Sequence, residues 1–554
     1  MAIVTFSKNQ FEREIGVFNE EMRERISMFG TPIEREEKDD ISIEVFPNRP
    51  DMLSYHGFKR SFLAFLGKKT GLANYKVNKP EENYKVIIDS SVKEIRPYTA
   101  CAIVRDLDLN DEKIKEIIDI QERLHMTIGR RRKRAAIGIY PLEKINLPIT
   151  FKAIEPDKIR FIPLEMDKEL SGLEILQRHS AGKEYSHLLA GKIKFPIFID
   201  AKDQILSMPP VINSQNTGRI TKDSKDMFIE CSGFDLGILK TCLNIIVTCM
   251  ADMGGKIYQM DLQYGYLKKE KTPDLAPRKM KISLENTNRI LGININEKQL
   301  KPLLEKAGYN YNSKNKTVEV PAWRADILHE VDLIEDAAIS YGYENFIPEI
   351  PEISTIGAED PKEKIKRTIS LILAGIGLLE TSSYHLEKRS QTENANTNSK
   401  EKDGAIEVEG SKTEYSVLRK NLGNSLLRIL SENVDSEYPQ KIFEIGRVFQ
   451  PASEKIIEKE MLSIAISPGN FTEARQAIEY LFRMLDLDSK ISFSEPKSLH
   501  QFFIEGRTAE IHLNGKSLGF IGEVHPKTLK DWGIKMPAAL FEIELEEVLK
   551  ALGK

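Results

Sequence analysis

The 554-residue chain is poor in cysteine, and its four cysteines are not spaced as metal-binding or redox pairs. None of Cys101, Cys231, Cys242 and Cys249 forms a Cys-x-x-Cys motif, so neither a zinc site nor a disulfide framework is predicted. Cys242 and Cys249 lie seven residues apart on one predicted helix, where they share its apolar face. We therefore predict four buried free thiols, as is usual in a reducing cytoplasm.

Long hydrophobic runs and an excess of one charge are also missing. No run of 18 apolar residues occurs, which predicts no transmembrane helix, and the first 16 residues lack the pattern of a signal peptide. Lys plus Arg number 80 against 84 for Asp plus Glu, a net charge of −4. This balance excludes a generally basic coat for nucleic acid, though not a local basic surface. The motifs GxSxG, HExxH and GxxxxGK[ST] do not occur, so no common hydrolase, zinc-protease or P-loop site is indicated.

Hydrophobic residues make up 41% of the chain and occur throughout, which excludes global disorder. At about 150 residues per domain, the length predicts three or four domains. Strand and helix patterns divide the chain into four segments, and together they predict a multidomain α+β protein whose last segment has a mainly antiparallel sheet. The predicted segments are 1–85, 86–274, 275–348 and 349–554, with a polar linker at 268–281 and a flexible insertion at 390–416.

Local patterns predict the main elements of these segments. The first segment should contain a strand, a rigid Pro-containing turn and a helix that ends at Gly67. Predicted strands are 41–45, 99–104, 137–140, 195–198, 441–449, 461–467, 509–513 and 539–545. Predicted helices are 111–125, 236–253, 362–379 and 470–485.

The third segment is predicted to be helical, with a layout that resembles a helix-turn-helix. Ser283 is a candidate N-cap, and Asn296 with Gln299 forms a candidate capping box for a second helix. Pro302 lies inside that helix and predicts a kink or a later start, and a third helix is predicted to begin near Asp326. Neither of the first two helices is rich in Arg or Lys, so a DNA-reading role is disfavoured.

An acidic set lies at the start of this third predicted helix. Positions 332, 335 and 336 share one helix face, where like charges repel unless a cation or a basic partner is present. Oxygen ligands of this kind suit Mg²⁺. The alternative is an N-cap followed by a solvated acidic face. The candidate metal ligands are Asp326, Asp332, Glu335 and Asp336.

Four long motifs give the chain its family resemblance. They are FPNRPDMLSYHG at 46–57, LSMPPVINSQNTG at 206–218, VPAWRADILHEVDLIEDAAISYGYENF at 320–346 and LGFIGEVHPKTLKDWGI at 518–534. Together they closely resemble the β subunit of phenylalanyl-tRNA synthetase, archaeal/eukaryotic type, over essentially the whole chain. The resemblance implies an N-terminal α+β domain, a B3/B4 editing domain, a B5 domain and a class II synthetase-like catalytic-like (B6/B7) domain, in the order of the four segments.

The resemblance also implies a function and partners. The implied role is to support ATP-dependent attachment of phenylalanine to tRNA(Phe) and to hydrolyse mischarged Tyr-tRNA(Phe). The implied partners are tRNA(Phe) and a catalytic α subunit, with which the chain would form an (αβ)₂ heterotetramer. ATP would bind mainly to the α subunit, and Mg²⁺ would bind at the acidic set. A cytoplasmic location without membrane contact is expected. A non-enzymatic tRNA- or protein-binding scaffold is the alternative function.

A self-sufficient ligase is disfavoured because the arginines of a class II site are incomplete. Arg419 is followed by Asn421, where a carboxylate is expected. Arg507 lies next to a single glycine and lacks a Gly-rich run. We therefore predict that the last segment is an inactive homologue of a catalytic core.

Tyrosine is phenylalanine with one added hydroxyl, and an apolar aminoacylation pocket rejects an added hydroxyl by only about 100-fold. Removal of tyrosine from mischarged tRNA therefore requires a second pocket. The predicted pocket lies at a Pro-Pro loop and at the strand that ends Glu-Cys-Ser-Gly, where the family more often has Asp-Val-Thr-Gly. Glu230 is assigned as acceptor for the tyrosine hydroxyl, and a positioned water is expected to attack the ester. His187 is expected to face the pocket or to pack locally. The candidate pocket residues are Ser207, Asn213, Glu230 and Ser232.

A basic run, 130–134, directly precedes the predicted strand 137–140. Five adjacent cations are able to contact tRNA phosphates, and a solvated loop is the equally weighted alternative. Lys268, Lys269 and Lys271 carry the same ambiguity.

Overall fold

The computed structural model describes residues 2–390, 405–452, 455–496 and 502–553. The chain divides into two compact units, Met1–Ile350 and Pro351–Lys554. Within the described ranges, no helix is both long and apolar enough to cross a membrane. All four cysteines are free and buried, as the sequence predicted.

The first unit begins with a small antiparallel sheet covered by helices. Its strands are Ala2–Ser7, Ile33–Glu36 and Asp40–Val45, with the last in the centre. Its helices are Lys8–Glu14, Glu20–Met28 and Tyr55–Phe65. Phe58 and Phe62 are fully buried on the predicted helix face, and Gly67 at φ +74° follows the helix as its predicted stop.

An eleven-stranded mixed sheet forms the middle of the first unit. Its strands are Val77–Asn78, Lys85–Ile88, Tyr98–Arg105, Ala135–Pro141, Ile149–Ile154, Phe195–Ile199, Ile205–Met208, Ile212–Asn213, Met227–Gly233, Lys256–Tyr264 and Glu270–Thr272. A separate two-stranded sheet pairs Arg160–Phe161 with Leu170–Ser171. The helices are Asp111–Met126, Gly172–Arg178, Ser180–Tyr185, Gln215–Gly218 and Leu236–Asp252. The predicted strands and long helices of this segment are confirmed to within a few residues.

The rest of the first unit is three helices on a three-stranded sheet. The strands are Arg278–Lys281, Asn310–Asn312 and Thr317–Val320, and the helices are Leu284–Leu291, Glu297–Lys306 and Glu330–Tyr341. Ser283 caps the first helix, and Asn296 with Gln299 forms the predicted capping box of the second.

Three predictions for this region are wrong. The predicted linker 268–281 contains two strands, because Glu270–Thr272 pairs with Lys256–Tyr264 and Arg278–Lys281 pairs with Thr317–Val320. The later start predicted for the second helix is wrong, because the helix begins at Glu297 and continues through Pro302; the carbonyl that the proline leaves unbonded belongs to exposed Lys298. The third helix begins at Glu330 instead of near residue 326, because the chain first folds around buried Arg324.

The second unit is built on a seven-stranded sheet that is antiparallel except at one edge. In spatial order its strands are Leu379–Glu380, Gln440–Ala452, Lys455–Ser467, Ala539–Glu544, Lys516–Val524, Phe503–Leu513 and Ile491–Ser494. The helices include Pro361–Gly375, Gly423–Glu432, Phe471–Met484, Pro526–Asp531 and Leu545–Ala551. A further hairpin pairs Leu386–Lys388 with Tyr415–Leu418. The predicted antiparallel α+β pattern is confirmed.

The predicted insertion 390–416 lies partly outside the described residues, which resume at 405. Its last two residues belong to the strand Tyr415–Leu418, so the predicted C-terminal bound is too late.

Candidate functional site

A small pocket lies where the strand Met227–Gly233 passes between two antiparallel neighbours. Glu230 is paired with Gly138 on one side and with Cys101 on the other. The pocket has a volume of about 90 Å³, which is the size of a side chain and not of an aminoacyl nucleotide. It is lined by Gln121, Glu122, His125, Arg132, Ala136, Ile137, Leu164, Pro209, Pro210, Val211, Ile212, Asn213 and Glu230.

A tyrosine joins the two candidate pocket residues that the structure brings together. The Tyr140 hydroxyl lies 3.2 Å from Asn213 Oδ1 and 3.3 Å from Glu230 Oε1, and its ring stacks on Phe228. Glu230 Oε2 is buried and has no hydrogen-bond partner among the described residues. A buried carboxylate oxygen without a partner costs free energy, which a bound donor would recover.

Close backbone approach creates the polar end of this pocket. A Cβ added at Gly138 would lie 2.1 Å from the Tyr140 hydroxyl and 2.6 Å from Glu230 Oε1. Only glycine leaves this space open, which is a common reason for glycine inside a strand. Gly138 and Tyr140 alternate with Ile137 and Ile139 in the sequence, so they share the face of the strand opposite to the two isoleucines. This alternation is a sequence signal for Tyr140 as a pocket residue, although the predicted pocket does not include it.

Burial dominates the electrostatics of the pocket. Burial raises the pKa of Glu230 to about 8, and the positive charge of Arg96 opposes part of that rise. Burial and the Glu230 carboxylate also raise the pKa of Tyr140. Burial lowers the pKa of Arg96 to about 10, against the attraction of Glu230. At neutral pH, Glu230 is therefore mostly a neutral acid that is able to donate as well as accept a hydrogen bond.

Two of the candidate serines lie beside the pocket and do not line it. Ser232 Oγ accepts a hydrogen bond of 3.1 Å from Arg96 Nε, and the Ser232 carbonyl accepts one of 2.5 Å from Arg96 Nη2. Ser207 is fully buried in the strand that pairs with Asn213. His187 is exposed, with Nδ1 3.0 Å from the Glu184 carbonyl, so it packs locally.

A different histidine and an arginine of the basic run hold the walls of the pocket. His125 Nε2 accepts a hydrogen bond of 2.8 Å from the Ile137 amide, and burial lowers the pKa of His125. Arg132 Nη1 donates to the Val211 carbonyl at 2.8 Å, and Arg132 Nη2 donates to Glu122 at 3.1 Å. The Pro-Pro loop is therefore fixed by an arginine that sequence reasoning treated as part of a solvated or phosphate-binding run.

The acidic set is divided between buried and exposed positions. Arg324 is 7% exposed and donates to both oxygens of Asp326, at 2.8 and 2.6 Å, and to Asp336 at 2.7 Å. Asp336 also accepts a hydrogen bond from Tyr309. The predicted N-cap at Asp326 is wrong, because His329 caps the helix Glu330–Tyr341.

Of the other two carboxylates, Asp332 is half-buried and Glu335 is exposed. Asp332 Oδ2 accepts from the amides of Leu328 and His329, both at 2.7 Å, and so completes a capping box. Glu335 is exposed, and partial burial together with the charges of Asp336, Asp332 and Asp326 raises the pKa of Glu335.

These four carboxylates do not fit a preformed metal site. In the described part of the chain, no group of three or more His, Cys, Asp or Glu side chains is placed to hold a metal ion. The Arg324 guanidinium already supplies positive charge between Asp326 and Asp336, so of the four carboxylates only Asp332 and Glu335 have no arginine partner among the described residues. Two carboxylates bind Mg²⁺ only with further ligands.

In the second unit, two charged residues are engaged in internal contacts, and one of them is Arg419, the candidate arginine of a class II site. Arg419 is 1% exposed and donates to Glu444 at 2.6 Å, to Ser383 Oγ at 2.8 Å and to the Arg447 carbonyl at 2.7 Å. Glu542 accepts hydrogen bonds from the amides of Leu422 and Gly423, at 2.9 and 2.7 Å. Glu444 thus neutralises Arg419, and Glu542 occupies the amides at the start of the helix Gly423–Glu432.

Two family models match the chain. Residues 280–343 match the tRNA synthetase B5 domain, and residues 347–545 match the phenylalanyl tRNA synthetase beta chain CLM domain. With the antiparallel sheet of the second unit, these matches define the chain as a component of an aminoacyl-tRNA synthetase.

Curated relatives extend the match to nearly the whole length. The phenylalanine–tRNA ligase beta subunit of Thermococcus sibiricus is 39% identical over 91% of this chain and 90% of its own, and that of Archaeoglobus fulgidus is 36% identical over 98% of both. The chain belongs to the family of phenylalanine–tRNA ligase β subunits, which confirms the resemblance found in its motifs. A crystal structure of an N-terminal fragment of the Pyrococcus horikoshii phenylalanyl-tRNA synthetase β subunit is 37% identical, with a TM-score of 0.59 over 61% of this chain and 99% of the fragment.

Proposed function

We propose that the chain acts with a catalytic α subunit in charging tRNA(Phe) with phenylalanine, and that the Glu230 pocket hydrolyses tyrosine from mischarged Tyr-tRNA(Phe). The first part rests on the family, together with the engagement of Arg419 and Glu542 in internal contacts. ATP and phenylalanine would then bind to the α subunit, in the predicted (αβ)₂ heterotetramer.

The single observation that carries the editing proposal is the unpartnered oxygen of Glu230 in a side-chain-sized pocket. A tyrosine hydroxyl has both a donor and an acceptor to offer, so it would satisfy Glu230 and Asn213 together. Phenylalanine would leave these buried groups unpaired, and a site built in this way discriminates by a large factor. The pocket would therefore select the amino acid that an apolar synthetic pocket rejects poorly.

The hydrolysis needs no covalent intermediate with the protein. A water molecule adds to the ester carbonyl, the bond between that carbon and the ribose oxygen breaks, and the water's proton passes to the departing ribose hydroxyl. Free tyrosine and uncharged tRNA are the products. The chain's residues select and position the amino acid; Ser207 and Ser232 keep only a supporting role in this proposal, because they do not line the pocket.

The test is deacylation of Tyr-tRNA(Phe) by the assembled complex, comparing wild type with Glu230→Gln. We expect the variant to lose selectivity between Tyr-tRNA and Phe-tRNA while its charging of tRNA with phenylalanine is unchanged. Glu387→Gln is the matched control, because burial raises the pKa of Glu387 to about 6 in the other unit. Wild type that releases tyrosine no faster than buffer would favour the non-enzymatic scaffold.

Mg²⁺ is proposed at the acidic set only in the assembled complex. Asp332 and Glu335 would supply two ligands, with the others from water or the α subunit, while Asp326 and Asp336 stay with Arg324. The raised pKa of Glu335 supports this proposal, because a cation there would relieve the repulsion among the carboxylates.

A further inference from the structure

The turn 127–134 carries four exposed cations that no carboxylate neutralises. Arg130, Arg131, Lys133 and Arg134 are exposed. Within the described residues, none of the four has an ion-pair or hydrogen-bond partner for its side chain. Arg132 alone turns inward, to Glu122 and the Pro-Pro loop. In a chain of net charge −4, this concentration of unpaired positive charge is a local basic surface.

Backbone hydrogen bonds hold the turn 127–134 in one conformation. Arg130, Arg131 and Arg132 are all left-handed, with φ of 47°, 51° and 61°, which is unfavourable for non-glycine residues. Backbone hydrogen bonds hold this conformation, including 3.2 Å from the Arg132 amide to the His125 carbonyl and 2.8 Å from the Arg134 amide to the Gly129 carbonyl. Such conformations cluster at binding sites, where the surrounding structure imposes them.

Arg130, Arg131 and Arg134 line a cleft with a volume of about 1140 Å³. Three acidic side chains, Glu122, Asp235 and Asp326, also line this cleft. Asp235 caps a helix by accepting a hydrogen bond from the Ile238 amide, and arginines already neutralise the other two. Glu122 is paired with Arg132, and Asp326 is paired with Arg324. The cleft therefore keeps an excess of positive charge along Arg130, Arg131 and Arg134.

The cleft and the Glu230 pocket are both lined by residues of the turn 127–134. Glu122 lines both of them. Arg132 binds the carbonyl of Val211, which lines the pocket, while its neighbours Arg130 and Arg131 line the cleft. Phosphates bound by Arg130 and Arg131 would thus lie on the same turn that supplies Arg132 to the pocket.

We propose that this cleft is the path of the single-stranded 3′ end of the tRNA, with Arg130, Arg131 and Arg134 binding its phosphates during editing. The inference rests on the proposed editing function and adds the residues that deliver the ester. A single strand is favoured over a duplex because the pocket admits only one side chain at the end of the path.

The test uses the complete α–β complex with the triple variant Arg130→Asn, Arg131→Asn and Arg134→Gln. Asparagine is chosen because it tolerates left-handed backbone. Deacylation of Tyr-tRNA(Phe) is compared with hydrolysis of tyrosine esterified to the 3′ hydroxyl of adenosine, which has no phosphates. We expect kcat/KM to fall on the order of tenfold for the tRNA ester only, and the salt slope to fall by about 2 for three single-strand contacts.

The matched control is Lys279→Gln, Lys281→Gln and Lys314→Gln, which removes three exposed charges of the same unit away from the cleft. This control should deacylate both esters as wild type does. Unchanged deacylation of Tyr-tRNA by the arginine variant would overturn the proposal. So would an equal loss on both esters, since the change would then act through the pocket, or a loss of α–β assembly, since the cleft would then be a protein contact.

A second measurement separates this inference from the editing function itself. A photoreactive amino acid at position 131 should crosslink to the last nucleotides of tRNA(Phe) in the complex. If wild type hydrolyses neither ester but the crosslink forms, editing fails and the RNA path stands. The path is rejected if no crosslink to the 3′ end forms.

Discussion

Glu230 owes its chemical character to its position in the sheet. The same residue on the protein surface would be a carboxylate, but here burial raises its pKa to about 8. In the pocket, its Oε1 lies 3.3 Å from the Tyr140 hydroxyl. Tyr-tRNA selection would therefore use a group that is poised between donor and acceptor near neutral pH.

The raised pKa predicts a pH dependence of stability. Because the folded protein binds this proton more tightly than the unfolded chain does, the contribution of Glu230 is greatest below its unfolded pKa of 4.5 and is lost as pH rises through about 8. The Tm of wild type should fall relative to that of Glu230→Gln between about pH 5 and pH 8. A Tm difference between the two proteins that stays constant across this pH range would contradict the raised pKa of Glu230.

Gly138 provides a second test at the residue scale. We expect Gly138→Ala to displace Tyr140 and Glu230, because the added Cβ would lie 2.1 and 2.6 Å from them. Overpacking of this kind costs about 1–3 kcal/mol, and deacylation of Tyr-tRNA should be lost while phenylalanine charging remains. Gly265→Ala is a suitable control, since its Cβ would meet no atom nearer than 3.5 Å. Normal editing by Gly138→Ala would show that the space beside Glu230 is not used.

At the scale of elements, the acidic residues in and just before the helix Glu330–Tyr341 have two different structural roles. Asp336 and Asp326 bind the buried Arg324 side chain, and Asp332 accepts hydrogen bonds from two amides at the start of the helix. Breaking the buried pairs with Arg324 would leave an uncompensated charge, which costs about 3–5 kcal/mol. Only Glu335 has no such structural task.

These different roles predict which carboxylates make the Tm of the complex depend on Mg²⁺. In the assembled complex, Mg²⁺ should raise the Tm of wild type more than that of Glu335→Gln, and the double variant Asp332→Asn, Glu335→Gln should lose the response. Asp332→Asn also weakens a cap, worth about 0.5–2 kcal/mol, so the Mg²⁺-dependent difference is the diagnostic quantity. Glu21→Gln with Glu24→Gln has the same spacing on the exposed helix Glu20–Met28 and should keep the full response. The metal proposal fails if all the variants respond alike.

For the whole molecule, the second unit leaves apolar side chains uncovered. Leu371 and Leu379 are each 68% exposed, and Tyr384 is 87% exposed. Leu379 lies on the strand at the edge of the sheet, where unpaired backbone groups are available to another chain. Within the apolar sequence ISLILAGIGLL at 369–379, Ile369 and Leu373 are buried, whereas Leu371 and Leu379 are exposed.

Assembly with the α subunit should depend on this edge. Leu371→Asp with Leu379→Asp is expected to weaken α–β association by at least tenfold, about 1.4 kcal/mol, without unfolding the isolated chain. Size-exclusion chromatography and light scattering measure the association, and Ile193→Asp, an 85% exposed residue of the first unit, is the control. The isolated chain should not exchange pyrophosphate with ATP in the presence of phenylalanine; exchange by this chain alone would refute the division of labour between the subunits.

The sequence by itself determined the family, the α+β class and most long elements. Periodicity and caps depend on neighbours within a few residues, so Ser283, Asn296 and Gln299 marked helix ends correctly. The motifs extended over dozens of positions in one order, which the relatives confirm. Glu230 and Asn213 were named as pocket residues from their strand and loop, and their roles in editing stay predictions.

Only the tertiary structure decided which side chains share a site. Tyr140, Gly138 and Arg132 come from other parts of the chain than Glu230, and strand pairing, not sequence spacing, brings them together. Likewise, the charges near Asp326 looked unpaired until folding placed Arg324 between Asp326 and Asp336. The physical reason is that periodicity reports a residue's own element, whereas burial, pKa and the identity of a partner depend on contacts between elements distant in sequence.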